Sequence, residues 1–169
     1  MSFTRTDSPS RFYKCENEAF IVHSPDEHPA SFEFNQYSDM SFGGFLDVLV
    51  LPQVIETDEE LRSFSPSDRQ CYFEGEIKLK YFKVYTKQNC MSECISDGVF
   101  KKCGCVPFYF IRDSSMNVCN ETARNSADKE RLGILKSDNC NFCLPSCNQI
   151  TYEIETIVIR VNKSFDANL

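Results

Sequence analysis

Two stretches decide the fold: Tyr85-Thr86-Lys87-Gln88-Asn89-Cys90-Met91-Ser92-Glu93-Cys94, and later Cys140-Asn141-Phe142-Cys143-Leu144-Pro145-Ser146-Cys147. Cys90 and Cys94 are four residues apart, which puts both sulfurs on one face of a helix. Three cysteines ascend the chain, Cys71, Cys90 and Cys94, and three answer from the far side, Cys140, Cys143 and Cys147. Nested pairing would join Cys71 to Cys147, Cys90 to Cys143 and Cys94 to Cys140. Sequence alone does not fix connectivity, but such a ladder staples two segments running antiparallel. Each loop taken singly is long enough for ~4 kcal/mol of denatured-state restriction. The values do not add, because one closed rung shortens the effective loop of the next. A ladder of this kind makes a rigid rod, suited to carrying movement from one place to another.

Ten cysteines in 169 residues require either disulfides or metal. Zinc fits poorly. Only Cys140-x2-Cys143 has knuckle-like spacing, its partner pair would be Cys103-x-Cys105, and His23 and His28 lie far along the chain. The sequence therefore implies no metal and no cofactor. Two glycosylation sequons, Asn120-Glu121-Thr122 and Asn162-Lys163-Ser164, fit a secretory route. Residues 1–15, MSFTRTDSPSRFYKC, have no apolar signal core. The best apolar run, residues 42–52, is too short to span a membrane and contains Asp47. The expectation is either a fragment of something longer or cysteines that are not oxidised.

The formal net charge of −7 argues against nucleic acid, whose phosphates want clustered Lys and Arg. Fifteen Phe and seven Tyr supply aromatic mass for a packed core. Residues 1–11 are polar and read as a disordered segment. Strand-like runs follow at residues 20–23, 31–37 and 46–55, punctuated by Pro25, Pro29, Gly43-Gly44 and Pro52. Ile77-Lys78-Leu79-Lys80-Tyr81 alternates apolar and basic residues, the period-2 mark of a half-buried strand. Tyr152, Ile154, Thr156 and Val158 alternate in the same way near the end. Residues 127–136 are rich in helix formers, with Asn125 or Ser126 available as the N-cap and Gly133 as a weak point. The layout is β strands, a cysteine-stapled helical lobe, then a returning strand: a disulfide-rich α+β fold.

At these residues the chain resembles the degenerin/epithelial sodium channel family, and looks closest to its insect pickpocket-like branch. The family's cysteine signature is matched by residues 85–90, Cys94, Cys103-Gly104-Cys105-Val106-Pro107, the closing run from Cys140 to Cys147, and Tyr152. Upstream, residues 20–29, with His23, Glu27 and Pro29, look like the family's strand-and-turn motif, and Gln70-Cys71 opens the thumb in the same manner. The resemblance covers residues 20–152. It implies palm and β-ball strands over residues 12–89, a thumb over 90–147, and a returning palm strand and tail over 148–169. It also implies the nested pairing, a trimer with like or unlike subunits, a sodium pore, and a plasma-membrane subunit whose extracellular side this is.

The chain departs from the family pattern in three ways. Both transmembrane helices, the pore segment, and most of the finger and first palm strand have no counterpart here. Where acid-sensing relatives place a Trp before the first thumb cysteine, this chain has Asp68-Arg69-Gln70. The thumb also lacks one cysteine between Cys119 and Cys140, so Cys119 pairs with Cys103 or Cys105 but not both, leaving a spare thiol beside Cys15. Asp128 and Glu130 lie near where acid-sensing relatives put proton-sensing carboxylates, and the plain reading is a solvated helix face.

The functional expectation is an extracellular fragment of an amiloride-sensitive-type, stimulus- or ligand-gated sodium channel subunit, with the thumb relaying gating to a pore outside this chain. The alternative is a secreted or truncated cysteine-rich binding protein. An enzyme is the weakest option: no nucleophile elbow, zincin helix or phosphate loop is present, and no His accompanies the thumb cysteines.

Overall fold

A computed structural model describes residues 2–6, 17–28, 37–41 and 44–160. Cys15, Asn162 and most of the 31–37 run lie outside the described residues. Among the described residues five strands and three α-helices follow in order: β1 (Ser2–Thr6), β2 (Asn17–His23), β3 (Tyr37–Ser41), β4 (Gly44–Ile55), α1 (Pro66–Arg69), α2 (Lys87–Cys103), α3 (Glu121–Lys136) and β5 (Gln149–Arg160). Short 3-10 turns occupy Glu59–Ser63 and Asp138–Cys140. The α+β reading holds.

The chain divides into two compact units. One takes residues 1–25, 33–53 and 150–169, and the other takes 26–32 and 54–149. The second therefore begins inside the stretch that the sequence gives to palm and β-ball. In the first unit β2 lies between β1 and β3, antiparallel to both, with Phe3 opposite Val22 and Phe20 opposite Ser38. Within residues 1–11, read as disordered, residues 2–6 thus form a strand. Backbone pairing needs no apolar side chains, so composition does not reveal it.

Strands β4 and β5 pair in a sheet of their own. Pro52 falls inside β4 rather than ending it, which a strand paired on one side among the described residues tolerates. Along β5, Tyr152 and Ile154 are half-buried while Glu153 and Glu155 are exposed, the alternation that the sequence displays.

The second unit is built on α2 and α3. Thr86 caps α2, its hydroxyl accepting from the Asn89 N–H, and Gly104 ends the helix at φ +69°, a left-handed position that favours glycine. Helix α3 starts at Glu121, capped by Asn120, six residues before the start that its helix formers suggest. The Asn120 side chain satisfies an orphan N–H of the first turn, so the helix nucleates there and not at Asn125 or Ser126. Gly133 is accommodated on the exposed face.

Between the helices sits the core: Ile95, Val99, Val106, Phe110, Met116, Ala127, Ile134 and Cys140. Gly98 lets α3 approach closely, for a Cβ there would stand 2.8 Å from Ile134 Cδ1.

The run at residues 77–81 is not a strand. Its burial alternates as the pattern implies, with Ile77, Leu79 and Tyr81 half-buried and Lys78 and Lys80 exposed. Yet its backbone bonds to a helix side chain: the Glu93 carboxylate accepts from the Lys80 and Tyr81 N–H groups at 2.9 and 2.6 Å. The segment bends at Lys80 and Tyr81 where it is tied to α2, and among the described residues it pairs with no strand.

Candidate functional site: a disulfide ladder on one helix

Cys90 and Cys94 stand one turn apart on α2. Of their partners, Cys140 ends the second 3-10 turn and Cys143 follows it, its N–H donating to the Cys140 carbonyl at 3.0 Å. Three rungs result: Cys71–Cys147, Cys90–Cys143 and Cys94–Cys140, with Cα separations of 5.0, 5.6 and 6.1 Å. All three fall within the range a disulfide spans without moving backbone. A fourth disulfide joins Cys105 to Cys119 at 5.0 Å and leaves Cys103 as the free thiol among the described residues. Cys140 and Cys143 therefore turn to different partners and do not act together as a knuckle. Among the described residues no group of three His, Cys, Asp or Glu side chains could hold a metal ion.

Backbone bonds brace the rungs. At the outer rung the Tyr72 N–H donates to the Pro145 carbonyl and the Cys147 N–H to the Tyr72 carbonyl, both at 2.9 Å. This bridge between Tyr72 and Ser146 is parallel, so the stapled segments are not antiparallel throughout, as nesting alone suggests. A similar parallel bridge, Val106 to Val118, flanks Cys105–Cys119.

Two tyrosines hold the return segment. Tyr72 and Tyr85 meet edge to face with centroids 5.3 Å apart. The Tyr85 hydroxyl donates to the Leu144 carbonyl at 2.6 Å, and the Tyr72 hydroxyl to the Phe142 carbonyl at 3.1 Å. Burial pushes the Tyr85 phenol well above its ordinary range. The Ser146 hydroxyl donates to the Tyr85 carbonyl at 3.2 Å. Thr57 reaches the end of the ladder, its hydroxyl donating to the Cys147 carbonyl at 2.6 Å.

Beside the ladder, Asn89 is fully buried at the first turn of α2. Its Oδ1 accepts from the His28 N–H at 3.1 Å, while Nδ2 donates to the carbonyls of Asp26 and Val84 at 2.7 and 3.2 Å. The amide thus ties the turn at residues 26–28 to the helix that carries two rungs. His28 itself meets Phe82 edge to face, with centroids 6.1 Å apart. His23 is buried and donates from Nδ1 to the Ser24 carbonyl at 2.8 Å.

Just before Cys71, at Arg69, a cation-and-ring cluster forms. The Arg69 side chain is only 2% exposed and pairs with Glu76. Its Nε donates to the Cys71 carbonyl at 3.0 Å, and it also donates to the Phe64 carbonyl. The guanidiniums of Arg62 and Arg69 lie 4.2 and 5.0 Å from the Phe73 ring centroid. Burial works against ionisation of Glu76, but the Phe73 N–H and the Arg69 guanidinium outweigh it and hold the carboxyl below its ordinary value.

Asp128 and Glu130 are not a free solvated face. Asp128 accepts from the Tyr109 hydroxyl, and Glu130 pairs with Lys102 on α2. Burial first, then the Asp128 carboxylate, pushes Tyr109 up to about 12. The sequence reading missed Asn89, Arg69 and Tyr109. Nothing in composition distinguishes a buried Asn from a turn Asn, although a polar residue directly before a helical cysteine was a usable signal.

Comparison with known proteins gives one consistent picture. The amiloride-sensitive sodium channel family profile matches residues 6–168. Pickpocket protein 28 of Drosophila melanogaster is 28% identical over 136 residues, covering 78% of this chain and 22% of that protein. Sodium channel protein Nach of Drosophila virilis is 37% identical over 93 residues, covering 53% and 23%. The human bile acid-sensitive ion channel is 30% identical over 107 residues, covering 61% and 18%. The chain spans about a fifth of the length of the curated relatives it matches. Among the described residues no helix is long and apolar enough to cross a membrane.

Proposed function

Because this chain belongs to the amiloride-sensitive sodium channel family, as a pickpocket-like member, we propose that it is extracellular palm and thumb from a sodium channel subunit. The ladder on α2 acts as a stiff lever. It relays an external stimulus to a sodium pore formed elsewhere in the full-length polypeptide, in a trimer with like or unlike subunits at the plasma membrane. The reading rests above all on three nested rungs that fix one helix to the segment leading into β5, at the positions where the family signature falls. A lever must not bend, and covalent rungs along a helix prevent bending. Strand β5 then leaves Cys147 within two residues, so movement of the stapled lobe passes directly into it. Nothing in this scheme asks the chain for enzymatic chemistry, and eight of its cysteines are spent as cross-links.

The test is the mass and partitioning of the native polypeptide, detected with an antibody to residues 90–147. A product several-fold heavier than 19.5 kDa that leaves membranes only with detergent supports a channel subunit. A soluble product near that mass overturns the reading.

A further inference from the structure

We propose that Asn120 is N-glycosylated and that the same side chain caps α3 through its other amide atom. The proposal rests on the extracellular reading above. Asn120-Glu121-Thr122 is a complete sequon, and all three residues are exposed. The cap uses only the oxygen: Oδ1 accepts from the Ala123 N–H at 2.9 Å. The nitrogen Nδ2 is the atom a glycan would occupy. Asn120 itself is extended, at φ −70° and ψ 174°, immediately before the helix, so its side chain projects from the start of α3 rather than from within a turn.

Capping and glycosylation therefore use opposite ends of one amide and do not compete. In the transfer, Nδ2 attacks C1 of the sugar of a polyprenyl-pyrophosphate-linked oligosaccharide. The N–C1 bond forms, the bond from C1 to the pyrophosphate oxygen breaks, and the amide proton passes to a base of the transferase. No oxidant or reductant takes part. The modified side chain becomes a secondary amide whose carbonyl oxygen still accepts from the Ala123 N–H. The first turn of α3 is then a solvent-facing surface in the assembled protein, not one covered by a neighbouring subunit.

The experiment expresses the native gene product containing this chain in insect cells, then removes N-glycans with an amidase that converts a modified Asn to Asp. Mass spectrometry reads residue 120, while thiol labelling reads Cys71, Cys90, Cys94, Cys140, Cys143 and Cys147. The expected result is Asp at position 120 after digestion, and one glycan step on a gel that Thr122→Ala abolishes and Thr122→Ser retains. Thr122→Ala is the informative variant because it removes the sequon and leaves the cap. Asn162→Gln should leave the step at residue 120 unchanged. Unmodified Asn120 together with oxidised cysteines overturns this proposal and spares the extracellular reading. Unmodified Asn120 with reduced cysteines overturns both.

Discussion

Removing rungs one at a time should reveal a ladder and not a set of independent staples. Consider Cys94→Ala with Cys140→Ala, leaving the other disulfides closed. The two positions are 46 residues apart in sequence, and a loop of that length taken alone corresponds to ~4 kcal/mol in the chain-entropy model. With Cys90–Cys143 intact, however, the path from Cys94 to Cys140 runs through that rung and closes only about 7 residues, for ~2.4 kcal/mol. The outer rung behaves differently. Cys71→Ala with Cys147→Ala opens an effective loop of about 23 residues, for ~3.4 kcal/mol, although its sulfurs are 76 residues apart. Alanine is chosen over serine because Cys140 and Cys147 are buried and a hydroxyl there would need a partner. The assay is guanidinium denaturation of oxidised protein, comparing midpoints at matched slope. The outer rung should cost about 1 kcal/mol more than the inner. Equal costs near 4 kcal/mol would show that the rungs act independently, and a larger cost for the inner rung would refute the nested reasoning outright.

Other perturbations probe the packing around the ladder. Asn89→Leu removes three side-chain hydrogen bonds at a fully buried position and should cost about 3 kcal/mol. Hydrogen exchange at the His28 amide should accelerate with it, and an unchanged midpoint would count against the clasp. Ile134→Ala empties the centre of the contact between α2 and α3 and should cost about 2–5 kcal/mol by the same denaturation assay, whereas Gly98→Ala should cost about 1–3 kcal/mol by overpacking against that same side chain. Tyr109, held up to about 12, ionises later in the folded than in the unfolded chain. Its contribution to stability is therefore complete below about pH 10 and is lost as pH rises toward about 12. Ultraviolet titration should show a late phenolate phase that Tyr109→Phe diminishes.

Much of this structure was legible in the sequence because cysteine spacing is a geometric statement. Cys90 and Cys94, four positions apart, share one face of a helix, and the answering spacing of Cys140, Cys143 and Cys147 gives that helix its partner. The strand near the end was legible for the same reason, since Tyr152 and Ile154 alternate with Glu153 and Glu155. Residues 77–81 show the limit: period-2 patterning reports which side chains are buried, not what the backbone bonds to, and there Glu93 takes the place of a strand. The start of α3 was misplaced because helix formers were weighed above the cap, and Asn120 decides the matter with one hydrogen bond. The partners of Asn89, Arg69 and Tyr109 were not legible because they lie 63, 7 and 19 residues away. Such pairings arise only after the fold has brought the segments together.

The most direct test of the lever is a voltage-clamp recording of the native gene product in oocytes, in sodium solution with and without amiloride. Wild type is compared with Cys94→Ala/Cys140→Ala at equal surface protein. The expected result is an amiloride-blocked sodium current in both, with altered activation kinetics in the variant and unchanged single-channel conductance. A surface-delivered protein whose sodium current activates identically with and without that rung would contradict the lever.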